Sequence, residues 1–80
     1  MDYPIKTPQQ LGQVLKGFRR DRKLTQGALS ARVGLAQNTI SKIETNPTRS
    51  NVEGVFKLLA VLDLDLVLRS RQSEGKKSDW

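Results

Sequence analysis

The chain has 80 residues and contains neither cysteine nor histidine, which excludes disulfides, thiolate or imidazole metal sites, and catalysis by Cys–His or Ser–His pairs. Fourteen basic side chains against eight acidic ones give a net charge of +6, which suggests either a polyanionic partner such as nucleic acid or a surface charged for solubility. No apolar run is long enough to span a membrane and no signal peptide opens the chain, so we expect a cytoplasmic domain that does not contact a membrane.

The first helix is predicted from residue 8 to about residue 22. Thr7 is a suitable N-cap, Pro8 suits the first helical position, and Gln10 completes a capping box. An apolar stripe then follows at helical spacing: Leu11, Val14, Leu15 and Phe18. Gly12 and Gly17 suggest that this helix approaches a neighbouring helix closely.

The middle of the chain predicts two short helices separated by a glycine turn. Thr25 is the N-cap candidate of helix two, at about residues 26–33, and Gly34 marks the turn because glycine tolerates positive φ. Helix three is predicted at about residues 37–44, with Ile40 and Ile43 facing inward. It ends before a proline, since the residue preceding proline avoids helical angles.

The last helix is predicted at about residues 51–62 and begins with another capping box at Ser50. Its inward stripe is predicted to be Val52, Val55, Phe56, Leu59 and Leu62. Alternate leucines then give a two-residue repeat, which predicts a strand near residues 64–70. The polar end of the chain favours disorder. We therefore expect one domain at residues 1–70 and a disordered tail at residues 71–80.

Helix, glycine turn and helix form the helix-turn-helix pattern, whose second helix enters the major groove of DNA. Four polar residues fall on the side of helix three opposite its isoleucines: Gln37, Asn38, Ser41 and Lys42. Glutamine and asparagine match the N6/N7 edge of adenine, lysine can donate to guanine, and serine serves either base. These four residues are the predicted base contacts. The alternative is an ordinary solvated helix face.

The segment LTQGALSARVGLAQNTISKIE, residues 24–44, resembles the helix-turn-helix core of the XRE/Cro/C1 repressor family. The family pattern is L-T-Q-x-x-L-A, a glycine turn, then T-I-S-x-I/L-E, and the resemblance covers about residues 11–62. It implies that Gln26 contacts a phosphate at the start of helix two and that the polar side of helix three faces bases. It also implies that Glu44 is structural and pairs with Arg19.

Three further residues are candidates for phosphate contact: Thr39, Thr48 and Arg49. Arg49 could instead reach the minor groove or remain a solvated loop residue, and the sequence leaves these alternatives open. Ala36 departs from the family, which commonly has serine, threonine or a basic residue there. We therefore expect helix three to lack a side-chain cap.

Longer segments narrow the resemblance: TPQQLG at the start, TNPTRSNVEGVFKLLAVLDLDL in the second half, and a terminal W. Over nearly its full length the chain resembles the HipB-type antitoxins, small dimeric repressors that bind the HipA-type serine/threonine kinase toxin. The implied fold is all-α, a lambda-repressor-like helix-turn-helix domain of four to five helices with one C-terminal β-strand pairing across a homodimer. The implied partners are double-stranded DNA and the kinase, without a cofactor. Trp80 is a candidate toxin contact, or an end with no role.

A lone strand has no partner in its own chain, so we expect a second copy to supply one about a two-fold axis. The predicted dimer strand consists of Leu64, Asp65, Leu66, Val67, Leu68 and Arg69. With Val67 on the axis, which we prefer, Asp65 faces Arg69 of the partner subunit, a pair that contributes roughly 0.2–1 kcal/mol. A register centred on Leu66 would instead place Asp65 opposite Val67. The alternative is that the leucines simply extend helix four over the core. A dimer would place two recognition helices about 34 Å apart on a palindromic operator.

The helix-turn-helix pattern predicts a DNA-binding repressor, and the resemblance implies that it is the antitoxin of a HipA-like kinase and regulates its own operon at the nucleoid. Two alternatives stay open: a stand-alone phage-type XRE repressor, and a protein-interaction module that has lost DNA binding. An enzyme is not predicted, because the sequence offers no plausible pair of carboxylates, no phosphate-binding loop and no nucleophile with a base.

Overall fold

The computed structural model describes residues 2–71, which form four α-helices and one 3₁₀ turn. The helices are α1 at Pro8–Asp21, α2 at Gln26–Val33, α3 at Gln37–Thr45 and α4 at Val52–Val61, and the 3₁₀ turn at Pro47–Arg49 joins α3 to α4. The prediction of a helical domain is confirmed for these residues, and each predicted helix end is correct to a single residue. No helix in this part of the chain is long and apolar enough to cross a membrane.

The start of α1 is set by a reciprocal pair of local hydrogen bonds. The backbone N–H of Gln10 donates to Thr7 Oγ1 at 3.1 Å, and the backbone N–H of Thr7 donates to Gln10 Oε1 at 3.2 Å. The predicted capping box is therefore confirmed. Thr25 caps α2 in the same way, accepting from the backbone N–H of Ala28 at 3.0 Å.

The other two helices start differently from each other. The predicted capping box at Ser50 is wrong: Asn51 is the N-cap of α4, and its Oδ1 accepts from the backbone N–H of Gly54 at 2.7 Å. The cap lies one residue later because α4 itself begins at Val52. Ala36 precedes α3 and makes no side-chain capping bond, as its residue type predicts.

Seven apolar side chains from all four helices form the buried core: Leu15, Leu29, Ile40, Ile43, Leu58, Leu59 and Leu62. The predicted inward stripe of α4 is wrong at two positions, since Val52 is 67% exposed and Phe56 is 48% exposed. Leu58, which was not part of the predicted stripe, is buried instead. Helix α4 is apolar on most of its surface, so residue spacing cannot decide which side faces the core.

Helix α1 touches the C-terminal end of α3 through a glycine. A Cβ atom added at Gly12 would lie 2.5 Å from the carbonyl oxygen of Glu44 and 2.7 Å from that of Ile43. The two backbones can approach this closely only because Gly12 has no side chain. At Gly17, by contrast, an added Cβ would have no neighbour within 4 Å. The predicted close approach is therefore correct for Gly12 and wrong for Gly17.

The two ends of the described chain lie side by side. Arg69 Nη1 donates to Asp2 Oδ2 at 2.9 Å, and the Tyr3 ring meets the Phe18 ring edge to face with centroids 5.3 Å apart. Residues 64–70 were predicted as a strand but are irregular in the protomer. A strand needs a neighbouring strand for its backbone groups, and residues 2–71 of one protomer supply none. Pairing across a homodimer stays a prediction.

The two glycines of α1 provide a matched test of this packing. We expect Gly12→Ala to lower the free energy of unfolding by roughly 1–3 kcal/mol, because its methyl group would overlap the backbone of α3. Gly17→Ala should raise it by about 0.5–1 kcal/mol, because alanine is the better helix former in open space. Urea unfolding followed by circular dichroism measures both. A Gly12→Ala variant as stable as the unchanged protein would contradict the close contact.

Candidate nucleic-acid interface

The turn between α2 and α3 is built by local features of the chain. Gly34 has a φ of 79° and a ψ of 20°, a left-handed conformation that glycine adopts without strain. The backbone N–H of Gly34 donates to the carbonyl of Ser30 at 2.9 Å and so closes α2. The Ser30 hydroxyl then donates to the carbonyl of Leu35, across the turn. The predicted helix-turn-helix arrangement is therefore present in the structure.

Helix α3 has one buried side and one polar side. Ile40 and Ile43 are fully buried against the other helices. The opposite side carries the residues that we call the polar edge: Gln37, Asn38, Ser41 and Lys42. Three of these are exposed and Ser41 is half-buried. Their side chains make no hydrogen bond or ion pair with any residue in the range 2–71, so the donors and acceptors of the polar edge are free for a ligand.

The C-terminal end of α3 is held by a buried ion pair. Arg19 Nε donates to Glu44 Oε2 at 2.6 Å, and Arg19 Nη2 donates to Glu44 Oε1 at 3.2 Å. Arg19 is 8% exposed and Glu44 is 3% exposed, so solvent screens this pair little. The third guanidinium nitrogen, Nη1, donates to the carbonyl of Leu24 at 2.7 Å. The bidentate geometry is the strong form of an arginine–carboxylate contact.

Gln26 completes the surroundings of the buried carboxylate. Its Nε2 donates to Glu44 Oε1 at 3.1 Å, so the carboxylate accepts three hydrogen bonds and no buried side-chain polar atom in the described chain lacks a partner. The first residue of α2 is thereby tied to the last turn of α3. One N–H and the oxygen of the Gln26 amide remain for another ligand, and its contact with a phosphate stays a prediction.

The remaining phosphate candidates lie on two elements. Thr48 and Arg49 are exposed in the 3₁₀ turn, which Asn46 caps by accepting from the backbone N–H of Thr48 at 3.4 Å. Pro47 is buried and anchors this turn to the domain. Thr39 lies on α3 and is half-buried. The structure thus leaves Thr48 and Arg49 accessible and Thr39 partly accessible.

The predicted dimer residues form no site within the protomer. Leu64 packs against the core, whereas Leu66, Val67 and Leu68 are exposed, the last to 87%. Asp65 is exposed, and Arg69 bonds to Asp2 rather than to a residue of the predicted strand. Trp80, the candidate toxin contact, lies outside the described residues.

Two supporting contacts escaped the sequence analysis. Neither the bond from Gln26 to Glu44 nor the one from Arg19 to the carbonyl of Leu24 was predicted. Both join residues from different elements and depend on how α2 meets α1 and α3. The only signal available in the sequence was a polar residue, Gln26, directly after a helix cap. A glutamine there could equally be exposed to solvent.

Comparison with known proteins agrees with this geometry. The model of the helix-turn-helix family matches residues 7–68. Antitoxin HipB of Escherichia coli strain K12 is 32% identical over 74 residues, which cover 92% of this chain and 84% of HipB.

Solved structures share the fold. A chain of the HipA–HipB–O2–O3 complex superposes with a TM-score of 0.83 at 32% identity, covering 89% of this chain and 100% of that chain. SinR, described as the master regulator for biofilm formation and solved in complex with DNA, superposes with a TM-score of 0.62 at 30% identity. The SinR match covers 69% of this chain and 89% of that chain.

The buried ion pair leads to a stability prediction. Glu44→Ala would leave the Arg19 guanidinium buried without its counter-charge, so we expect the free energy of unfolding to fall by about 3–5 kcal/mol. The double variant Arg19→Met with Glu44→Leu removes both charges and should recover much of this loss. Urea unfolding of the two variants is the measurement.

The exposed pair of Lys57 and Glu53, 3.8 Å apart, supplies the control. Glu53→Ala should change stability little, because solvent screens that pair. A double variant no more stable than Glu44→Ala alone would contradict the assigned cost of the unpaired arginine.

Proposed function

The chain belongs to the helix-turn-helix family and, within it, to the HipB antitoxins, and from this premise we propose that it is a sequence-specific DNA-binding repressor. The observation that carries the proposal is the polar edge of α3. Its side chains have no partner among residues 2–71, while Ile40 and Ile43 hold the helix from behind. Burying such an edge in an apolar protein interface would cost free energy, because its polar groups would lose their hydrogen bonds to water, whereas the base edges of a major groove can bond to them.

The residue types of the polar edge determine how it would read DNA. Gln37 and Asn38 each offer a donor and an acceptor, which match N6 and N7 of adenine. Lys42 offers donors that match O6 and N7 of guanine, and Ser41 can serve either base. Gln37 and Asn38 lie in the first turn of α3, the part of a recognition helix that contacts base edges.

Phosphate contacts would fix the protein on the duplex. We assign them to Gln26, Thr39, Thr48 and Arg49, of which the last two protrude from the turn that follows α3. The net charge of +6 favours association with DNA of any sequence and makes it depend on salt. The base contacts of α3 then add the discrimination between sequences.

The proposed repressor is a homodimer. Five large apolar side chains are exposed on α4 and the segment after it: Val52, Phe56, Leu66, Val67 and Leu68. Phe56 and Leu66 line one groove together with Leu64, and Val52 lies one turn before Phe56 on the same helix. A second copy would cover this apolar patch and pair residues 64–70 as strands about a two-fold axis. It would also match a palindromic operator.

Pairing of the segments would bring a second carboxylate within reach of Arg69. In the protomer Arg69 bonds to Asp2 at 2.9 Å, and both side chains are largely exposed. An exposed pair contributes little to stability, so Arg69 is free to turn to Asp65 of the partner subunit in the register centred on Val67. The change of partner is compatible with the proposed dimer.

We further propose that the dimer is the antitoxin of a HipA-type serine/threonine kinase and regulates its own operon in the cytoplasm. The support is the 32% identity with Antitoxin HipB and the likeness to a chain of the HipA–HipB–O2–O3 complex. The proposed activity is binding, not catalysis. Trp80 remains a candidate contact to the kinase.

DNA binding is tested with the double variant Gln37→Ala and Asn38→Ala. We expect the protein to bind DNA from upstream of its own gene and the variant to lose specific affinity by at least about 1–3 kcal/mol, because two base-reading amides are gone. Fluorescence anisotropy across a salt series is the measurement. The variant should keep a steep salt dependence, since its phosphate contacts are intact.

The matched control removes two exposed amides from α1, Gln9→Ala with Gln13→Ala. This control should bind like the unchanged protein. If the α3 variant binds the specific DNA with unchanged affinity, the first turn of α3 does not read the bases.

The dimer is tested with Leu68→Asp. Because Leu68 is exposed in the protomer, the variant should remain folded, with unchanged helical circular dichroism. Sedimentation equilibrium should show a dimer for the unchanged protein and a monomer for the variant, since a charge would be buried in the apolar contact. Gln13→Asp, exposed on α1, is the control and should stay dimeric. A variant that remains a dimer would contradict the assigned interface.

The kinase partnership is tested by co-expression with a HipA-type kinase encoded beside this gene. We expect the two proteins to co-purify and the antitoxin to relieve the growth arrest caused by the kinase. Trp80→Ala should weaken retention of the kinase while DNA binding is unaffected, because the polar edge is unchanged. A repressor that binds its operator but neither retains nor neutralises the kinase would refute the antitoxin assignment alone.

A further inference from the structure

Gly27 lies beside the first reading residue of α3. It is the second residue of α2 and is exposed. A Cβ atom added there would have two near neighbours outside the helix backbone: Gln37 Oε1 at 3.6 Å and Thr25 Oγ1 at 3.8 Å. A side chain at position 27 would therefore extend into the space next to the Gln37 amide.

Neither backbone geometry nor close packing requires glycine at this position. Gly34 has a positive φ and Gly12 meets the backbone of α3, so each of those glycines has a structural cause. Gly27 has no positive φ, and 3.6 Å is an ordinary van der Waals distance. Alanine would fit, and helix propensity would favour it. The missing side chain at Gly27 thus has its clearest effect on Gln37.

A longer polar side chain at this position would reach the amide of Gln37. Glutamine, for example, could donate to Gln37 Oε1 and accept from its Nε2, engaging the same atoms that a base would use. Gln37 has no hydrogen-bond partner among residues 2–71, so its amide is at present free to turn toward a base. Bidentate reading of adenine needs both the donor and the acceptor of that amide.

We propose that Gly27 is a specificity-determining residue: by carrying no side chain, it leaves the Gln37 amide free to read one base pair of each operator half-site. The proposal rests on the proposed DNA-binding function and deepens it. Gly27 itself makes no contact with a base. It acts by leaving the neighbouring amide without a competitor inside the protein.

The test compares the base preferences of four proteins selected on a DNA library with randomised half-sites. The unchanged protein and Gln37→Ala identify the base pair that Gln37 reads. Gly27→Gln should lose preference at that same base pair, by roughly tenfold for one bidentate contact. Gly27→Ala should keep the preference, because a methyl group cannot hydrogen-bond to the amide.

Two further variants separate competition from other effects. Gly17→Gln places the same side chain on an exposed glycine of α1 with no neighbour within 4 Å, and it should keep the preference. Adding Gln37→Ala to Gly27→Gln should cause no further loss, because both changes remove the same contact. Thermal melts by circular dichroism confirm that each variant is folded.

The possible results separate a failure of the proposed role of Gly27 from a failure of the proposed DNA-binding function. An unchanged protein without sequence preference would overturn both. An unchanged protein with a preference that survives Gly27→Gln, or a loss at a base pair that Gln37 does not read, would overturn the role of Gly27 and leave the DNA-binding function standing.

Discussion

The arrangement of the domain depends on the contacts between α1 and the C-terminal end of α3. Gly12 lets the two backbones touch at the carbonyls of Ile43 and Glu44. Two turns further along α1, the guanidinium of Arg19 binds the Glu44 carboxylate. Removing a carboxylate from water is costly unless its oxygens are satisfied. The third hydrogen bond, from Gln26, adds a second donor residue to the Glu44 carboxylate and brings the start of α2 into the same cluster.

These contacts with α1 explain how α3, a helix of nine residues, stays in place although the side chains of its polar edge make no bond to the rest of the domain. Ile40, Ile43 and Glu44 fix α3 on its inner side and at its far end, so the side chains of the polar edge need no bond to the rest of the protein. Side chains that read bases are accurate only when a rigid element carries them. The missing side chain at Gly27 fits the same logic, since it keeps the space beside Gln37 clear.

A different face of the protomer exposes apolar side chains to water. The apolar patch of α4 and the segment after it would be unfavourable in water, and the irregular residues 64–70 have backbone groups without a neighbouring strand. In the proposed dimer, a second copy would cover the patch and pair these residues. DNA reading and dimerisation would then use separate surfaces of a small core, and a two-fold axis would link them by setting the distance between the two α3 helices.

The sequence by itself determined the helices and the polar edge of α3. Caps such as Thr7 and Thr25, the left-handed Gly34, and the spacing of Ile40 and Ile43 act within a few residues, so they can be read along the chain. The pair of Arg19 and Glu44 was implied by family resemblance alone. Only the tertiary structure decided that Leu58 rather than Phe56 enters the core, that Gly12 rather than Gly17 meets α3, and that Gln26 binds Glu44. Each of those choices depends on which neighbour a helix face meets, and an apolar or small residue suits several neighbours equally until the helices pack.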